Sequence, residues 1–159
     1  METKTLTKIG GIAALYAVIT ILFNPISYGP VQVRISEGLT ILPFFLGPWS
    51  AVGLWLGCLI ANFAGGLGLI DVIFGSLLTL IAGLLTSQLD NIWLAGLPPV
   101  IINAFGVAGI LKYVAEFEAA YLVIALQVGI GEAVAVYLIG VLGLGQAFKR
   151  TKLKSILMD

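Results

Sequence analysis

Apolar residues run in long blocks along this chain, and the polar residues fall in short clusters between them. The first block, 8–23, is closed by Asn24-Pro25, because proline removes a backbone donor and disfavours helix at the residue before it. Residues 26–33 carry Ser27, Tyr28, Gly29, Pro30 and Gln32 and read as a loop with a short extended piece at 31–33. From 35 to 64 the chain is almost continuously apolar, with Pro43, Gly47 and Pro48 in the middle, so it divides into spans over 34–46 and 48–63 joined by a tight turn. The first of these is shorter than the roughly 20 residues a bilayer requires, so it is expected to tilt or to be covered by its neighbours. Gly65-Gly66-Leu67-Gly68 is a turn, and Asp71 suits the N-terminal cap of a span over 72–86. A polar loop at 87–91 precedes a span over 93–112 with Pro98-Pro99 in its first turns. Glu116 and Glu118 mark the next loop, and a last span covers 119–144.

The composition fixes the solvent. Of 159 residues 60% are hydrophobic and only 10% charged, with a mean hydropathy of +1.11. A soluble domain is about a quarter charged, so lipid must face most of this surface. The expected fold is therefore an all-α integral membrane bundle, a single multi-pass domain with a retained first helix. Charge orients it. Six of the eight basic residues lie at the ends: Lys4 and Lys8 before the first span, then Lys149, Arg150, Lys152 and Lys154 after the last. Basic residues concentrate on cytoplasmic flanks, so both termini are placed in the cytosol and the span count must be even; six fits. Trp49 and Trp93 then fall at the inner interface.

That topology sorts the polar side chains by depth. Arg34, Glu37, Asn62 and Asp71 sit at outer ends of spans, and Asn103 lies near the middle of the fifth. Gln127 lies about 12 Å and Glu132 about 20 Å into the sixth span, at a rise of about 1.5 Å per residue. Ionisable groups at this depth are costly and face a cavity or a partner. The cluster predicts a pocket open to the outside, walled by aromatic residues drawn from Tyr28, Phe44, Phe45, Trp55, Phe63 and Tyr121. Each residue has a plainer role as well. Arg34 and Glu37 are three apart and can pair on one helix face. Asp71 can serve as a cap, and Asn62, Asn103 and Gln127 as interhelical hydrogen-bond partners. Glu132, mid-membrane with no basic residue at its depth, is hardest to explain structurally. On the first span, Gly10, Ala13, Ala14 and Ala17 form a small-residue flank. Ala13 and Ala17, four apart, would admit a close neighbour, either inside the chain or from another membrane subunit.

Several chemistries are excluded. The chain has no histidine and one cysteine, Cys58, so metal binding and histidine-based catalysis lack their usual groups. It has no phosphate-loop motif for ATP hydrolysis. Asp71 and Asp90 are expected on opposite sides, which removes an intramembrane aspartyl protease. Zero formal net charge makes nucleic acid an unsuitable partner. No catalytic residue, metal or cofactor is expected.

The strings Arg34-Ile35-Ser36-Glu37-Gly38-Leu39-Thr40-Ile41-Leu42-Pro43-Phe44-Phe45, Gly57-Cys58-Leu59-Ile60-Ala61-Asn62-Phe63 and Gly66-Leu67-Gly68-Leu69-Ile70-Asp71-Val72-Ile73-Phe74-Gly75-Ser76-Leu77 resemble the QueT family. These are S-components, the substrate-binding subunits of energy-coupling-factor (ECF) transporters for queuosine precursors. The resemblance implies a six-helix subunit that binds a 7-deazaguanine such as preQ1, preQ0 or queuine from outside. It would dock through the Ala13 and Ala17 flank on a membrane T subunit driven by two cytoplasmic ATPases. Glu37 or Glu132 would suit the guanine N1–H and amine edge, and Asp71 a cationic amine. Other heteroaromatic vitamins, a free-standing ion-coupled carrier and a non-transporting scaffold stay open as alternatives.

Overall fold

A computed structural model describes residues 3–27 and 33–150; the loop residue Tyr28, most of the expected extended piece, and Lys152 and Lys154 lie outside them. Helix α1 spans Thr3–Leu22 and is followed by the single turn α2, Asn24–Ser27. The others are α3 Ile35–Leu46, α4 Trp49–Gly65, α5 Asp71–Thr86, α6 Ile92–Tyr113 and α7 Tyr121–Arg150. Among the described residues, α1, α6 and α7 are long and apolar enough to cross a membrane, and α3, α4 and α5 are shorter apolar helices. Helices occupy the apolar segments, with ends displaced by up to six residues from the expected bounds.

Local chemistry sets the breaks. Gly47 adopts φ 88°, a conformation that favours glycine, and separates α3 from α4. Gly66, at φ 74°, ends α4 in a left-handed cap with its N–H donating to the Asn62 carbonyl at 3.3 Å. The Asn91 side chain accepts from the Trp93 and Leu94 N–H groups and starts α6. Asp71 corrects the sequence reading. It lies inside the first turn of α5 and caps nothing; Ile70 holds the cap position without a side-chain hydrogen bond.

The short helix α3 is resolved by burial. Its first seven residues, Ile35–Ile41, form a 3₁₀ helix, which rises about 2.0 Å per residue against about 1.5 Å for an α-helix. Every residue from Ser36 to Ile41 is buried, so this tighter backbone meets protein rather than lipid. It packs against the wide, π-type stretch of α7, Val134–Leu144. A Cβ on Gly140 would stand 2.6 Å from the Gly38 carbonyl oxygen, so the two backbones touch.

The polarity of the bundle is inverted relative to a soluble protein. Leu22, Phe63, Leu122 and Leu126 face outward, while Thr20, Arg34, Glu37, Asn62, Asp71, Thr79, Asn103 and Glu132 are buried. This is the arrangement lipid imposes.

The α1–α4 contact revises the expected docking flank. Ala13 and Ala17 are buried inside the chain, whereas Gly10, Gly11 and Ala14 are exposed. A Cβ on Gly57 would lie 2.7 Å from the Ala13 carbonyl oxygen. In lipid, helices gain little from hydrophobic burial and rely on close packing, so small residues are spent on this internal seam. Ala17→Leu should therefore act on the fold. It is expected to destabilise the protein by about 1–3 kcal/mol through overpacking, read as a lower melting temperature in detergent.

Candidate functional site

Five helices each contribute polar side chains to one internal cavity. Arg34 and Glu37 come from the start of α3, Asn62 from the end of α4, and Asp71, Gly75 and Thr79 from α5. Asn103 and Val107 come from α6 and Glu132 from α7. Residues separated by almost a hundred positions are thus brought together where the start of α3, the end of α4 and the first turns of α5 meet the middle of α6 and α7.

The Arg34 guanidinium donates through Nη1 to Asn62 Oδ1 at 2.8 Å. Asn62 passes its own amide hydrogens to the Asp71 carbonyl at 3.1 Å and to Ser76 Oγ at 3.5 Å. On the other side of α3, Tyr16 donates its hydroxyl to Glu37 Oε1, and Thr20 shares a 2.6 Å hydrogen bond with Ser36. The Thr40 hydroxyl closes on the Glu37 carbonyl at 2.6 Å. Across the cavity Asn103 Nδ2 donates to Glu132 Oε1 at 3.1 Å. These bonds fix one oxygen of Glu37 and one of Glu132 and leave the others. Glu37 Oε2, Asp71 Oδ2, Asn103 Oδ1 and Glu132 Oε2 are buried without a partner in the protein. Left unsatisfied, each such group costs about 1–3 kcal/mol, so four around one cavity call for a bound partner.

The opening turn of α5, Asp71–Gly75, is π-type, a distortion often found at functional sites. Gly75 is required there. A Cβ would lie 2.8 Å from Asp71 Oδ1 and 2.9 Å from Asn62 Nδ2. The cavity itself is tight. Its free volume is about 10 Å³, close to what one water molecule needs. Admitting a heterocycle requires the helices around it to part.

Six of the sequence-identified residues, Arg34, Glu37, Asn62, Asp71, Asn103 and Glu132, meet here. Gln127 does not line the cavity. It is five positions from Glu132, about 140° away around the helix. Trp55 is also absent from the lining; it shares a face with Asn62 but lies about 10 Å along α4 from it. Among the described residues, none of the expected aromatic side chains lines the cavity. Phe44 and Phe45 line a different cleft with Asp90, Asn91, Trp93 and Lys149, and Phe63 is exposed. Tyr121 donates to the Phe105 carbonyl at 3.0 Å and stacks near Tyr113. Tyr16, Gly75, Ser76 and Thr79 belong to the site and escaped the sequence reading. Tyr16 sits with Ala13, Ala17 and Thr20 on the buried stripe of α1, so the three-to-four spacing was the available signal.

Residues 6–146 match the family described as QueT transporter. A curated relative, "Queuosine precursor transporter QueT" of Lactococcus lactis subsp. cremoris (strain MG1363), is 38% identical over 82 residues. That stretch is 50% of this chain and 47% of the relative, so the match spans about half the length of each. No solved structure matches.

The Arg34–Asn62–Ser76 chain makes Asn62 a structural element of the site. Asn62→Ala removes a hydrogen bond to a buried charge, and a stability loss of about 1.5–3 kcal/mol is expected in thermal or denaturant unfolding. Ser76→Ala, at the far end of a 3.5 Å contact, should cost clearly less.

Proposed function

From the premise that the chain belongs to the QueT transporter family, we propose that it is the membrane S-component of an ECF-type importer and captures a queuosine precursor in the cavity between α3 and α7. The observation that carries this reading is the convergence of one guanidinium, three carboxylates and two amides inside an otherwise apolar membrane bundle. Such groups in a membrane interior are retained for a ligand or for transport.

A 7-deazaguanine matches the array. Its N1–H and exocyclic amine form a flat donor edge, and a carboxylate accepts the two N–H groups as it accepts those of an arginine fork. Glu37 offers one open oxygen for that edge, and its other oxygen is held by Tyr16. The ring carbonyl needs a donor, which Arg34 or an asparagine amide supplies. Because the cavity is nearly closed, entry involves a parting of α4 and α5, whose connection carries Gly66 at φ 74° and Gly68 at φ 102°.

The six apolar segments are read as six spans with both ends in the cytosol, since Lys4, Lys8, Lys149 and Arg150 flank them. The start of α3, the end of α4 and the start of α5 then face the outside, which makes the site a receptor for extracellular substrate. Energy comes from elsewhere: a T subunit in the membrane and two cytoplasmic ATPase subunits complete the importer.

Purified protein is expected to bind a 7-deazaguanine in detergent, with neither ATP nor an ion gradient, seen as a thermal shift and by calorimetry. Glu37→Gln should weaken that binding at least tenfold, about 1.4 kcal/mol. Absence of binding to preQ1, preQ0 and queuine contradicts the proposal. Uptake into liposomes lacking partner subunits, driven by a proton or sodium gradient, would identify an ion-coupled carrier instead.

A further inference from the structure

The open positions in the cavity are all of one kind. Glu37 Oε2, Asp71 Oδ2, Asn103 Oδ1 and Glu132 Oε2 are hydrogen-bond acceptors, and every one belongs to a side chain at least nine-tenths buried. Beside them, Asn62 Nδ2 donates to Asp71 and Ser76, and Asn103 Nδ2 uses one of its two hydrogens on Glu132. A ligand that satisfies this surface brings N–H groups. Three carboxyl groups line the cavity with one guanidinium. Among the described residues no group of three acidic, cysteine or histidine side chains could hold a metal ion.

The two walls differ. On the α3–α4–α5 wall the Arg34 guanidinium is tied through Asn62 to Asp71, so a positive charge already sits there. On the α6–α7 wall Glu132 is hydrogen-bonded to a neutral amide, and the pair presents two open oxygens, Asn103 Oδ1 and Glu132 Oε2. An ammonium group is a multiple donor with a charge, and this pair accepts both. We propose that the site selects the cationic, amine-bearing members of its substrate class over the neutral one, seating the ammonium on the Glu132–Asn103 oxygens. This rests on the deazaguanine reading above.

The two ideas separate experimentally with one pair of probes, 7-aminomethyl-7-deazaguanine, a cation, and 7-cyano-7-deazaguanine, which is neutral and carries an acceptor in place of the amine. Calorimetry on the full-length protein in detergent is expected to give at least tenfold tighter binding of the aminomethyl compound. Glu132→Gln should reduce affinity for the cation far more than for the nitrile and bring their ratio close to one, while Asp71→Asn lowers both and keeps the ratio. Equal wild-type affinities, or tighter nitrile binding, overturn the charge selection and leave the deazaguanine site standing. Binding of neither compound overturns the site itself. A ratio that collapses in Asp71→Asn and persists in Glu132→Gln overturns the seating on the α6–α7 wall. The wild-type comparison holds even where a variant fails to fold.

Discussion

A guanidinium buried in a bundle that faces lipid must be met by oxygen, and that requirement organises this protein. Arg34 is buried at the start of α3, and Asn62 from α4 supplies an acceptor at 2.8 Å. Asn62 in turn fixes the first turn of α5 through the Asp71 carbonyl. Three helices are thereby locked at one end of the molecule by a single polar chain. In water such a chain would be a modest contributor; inside the bundle, a hydrogen bond to a buried charge contributes about 1.5–3 kcal/mol.

The rest of the architecture accommodates that chain. The 3₁₀ start of α3 carries Glu37 in its first turn, next to the extended residue Arg34, and both side chains line the cavity. The glycine contact between Gly38 and Gly140 lets α3 lie directly on the wide stretch of α7, bringing Glu132 to the same cavity. Gly75 leaves room for the Asp71 carboxylate and the Asn62 amide. The interior is built close around a set of oxygens that it does not itself satisfy.

Much of this was legible in the sequence, for definite reasons. Long apolar blocks punctuated by Asn24-Pro25, Gly47-Pro48 and Gly65-Gly66 locate the helices, because proline and glycine act locally. Carboxylates and amides stand out against an apolar background, so six of the site residues could be named without coordinates. What sequence hides is rotation and partnership. Gln127 and Glu132 share a helix but not a face, and phase in a nearly uniform apolar helix carries no marker. Tyr16 looks like an ordinary aromatic until α1 is seen packed beside α3. The aromatic walls failed because Phe44 and Phe45 follow Glu37 by two helical turns, which carries them to the other end of the bundle. Ala13 and Ala17 carry the small-residue spacing of an interface, but spacing does not say whether the partner is another chain or α4.

The central claim is that the unsatisfied oxygens around this cavity are the substrate's contacts. A structure of the protein in lipid nanodiscs with a bound 7-deazaguanine tests it most directly. The account predicts ligand density between Arg34, Glu37, Asn103 and Glu132, in a cavity widened from its present 10 Å³. Density seated instead against the apolar groove that α6 and α7 form with Val100, Ala104, Leu122, Ala125 and Gly129, with those four side chains arranged as they are here, would contradict it.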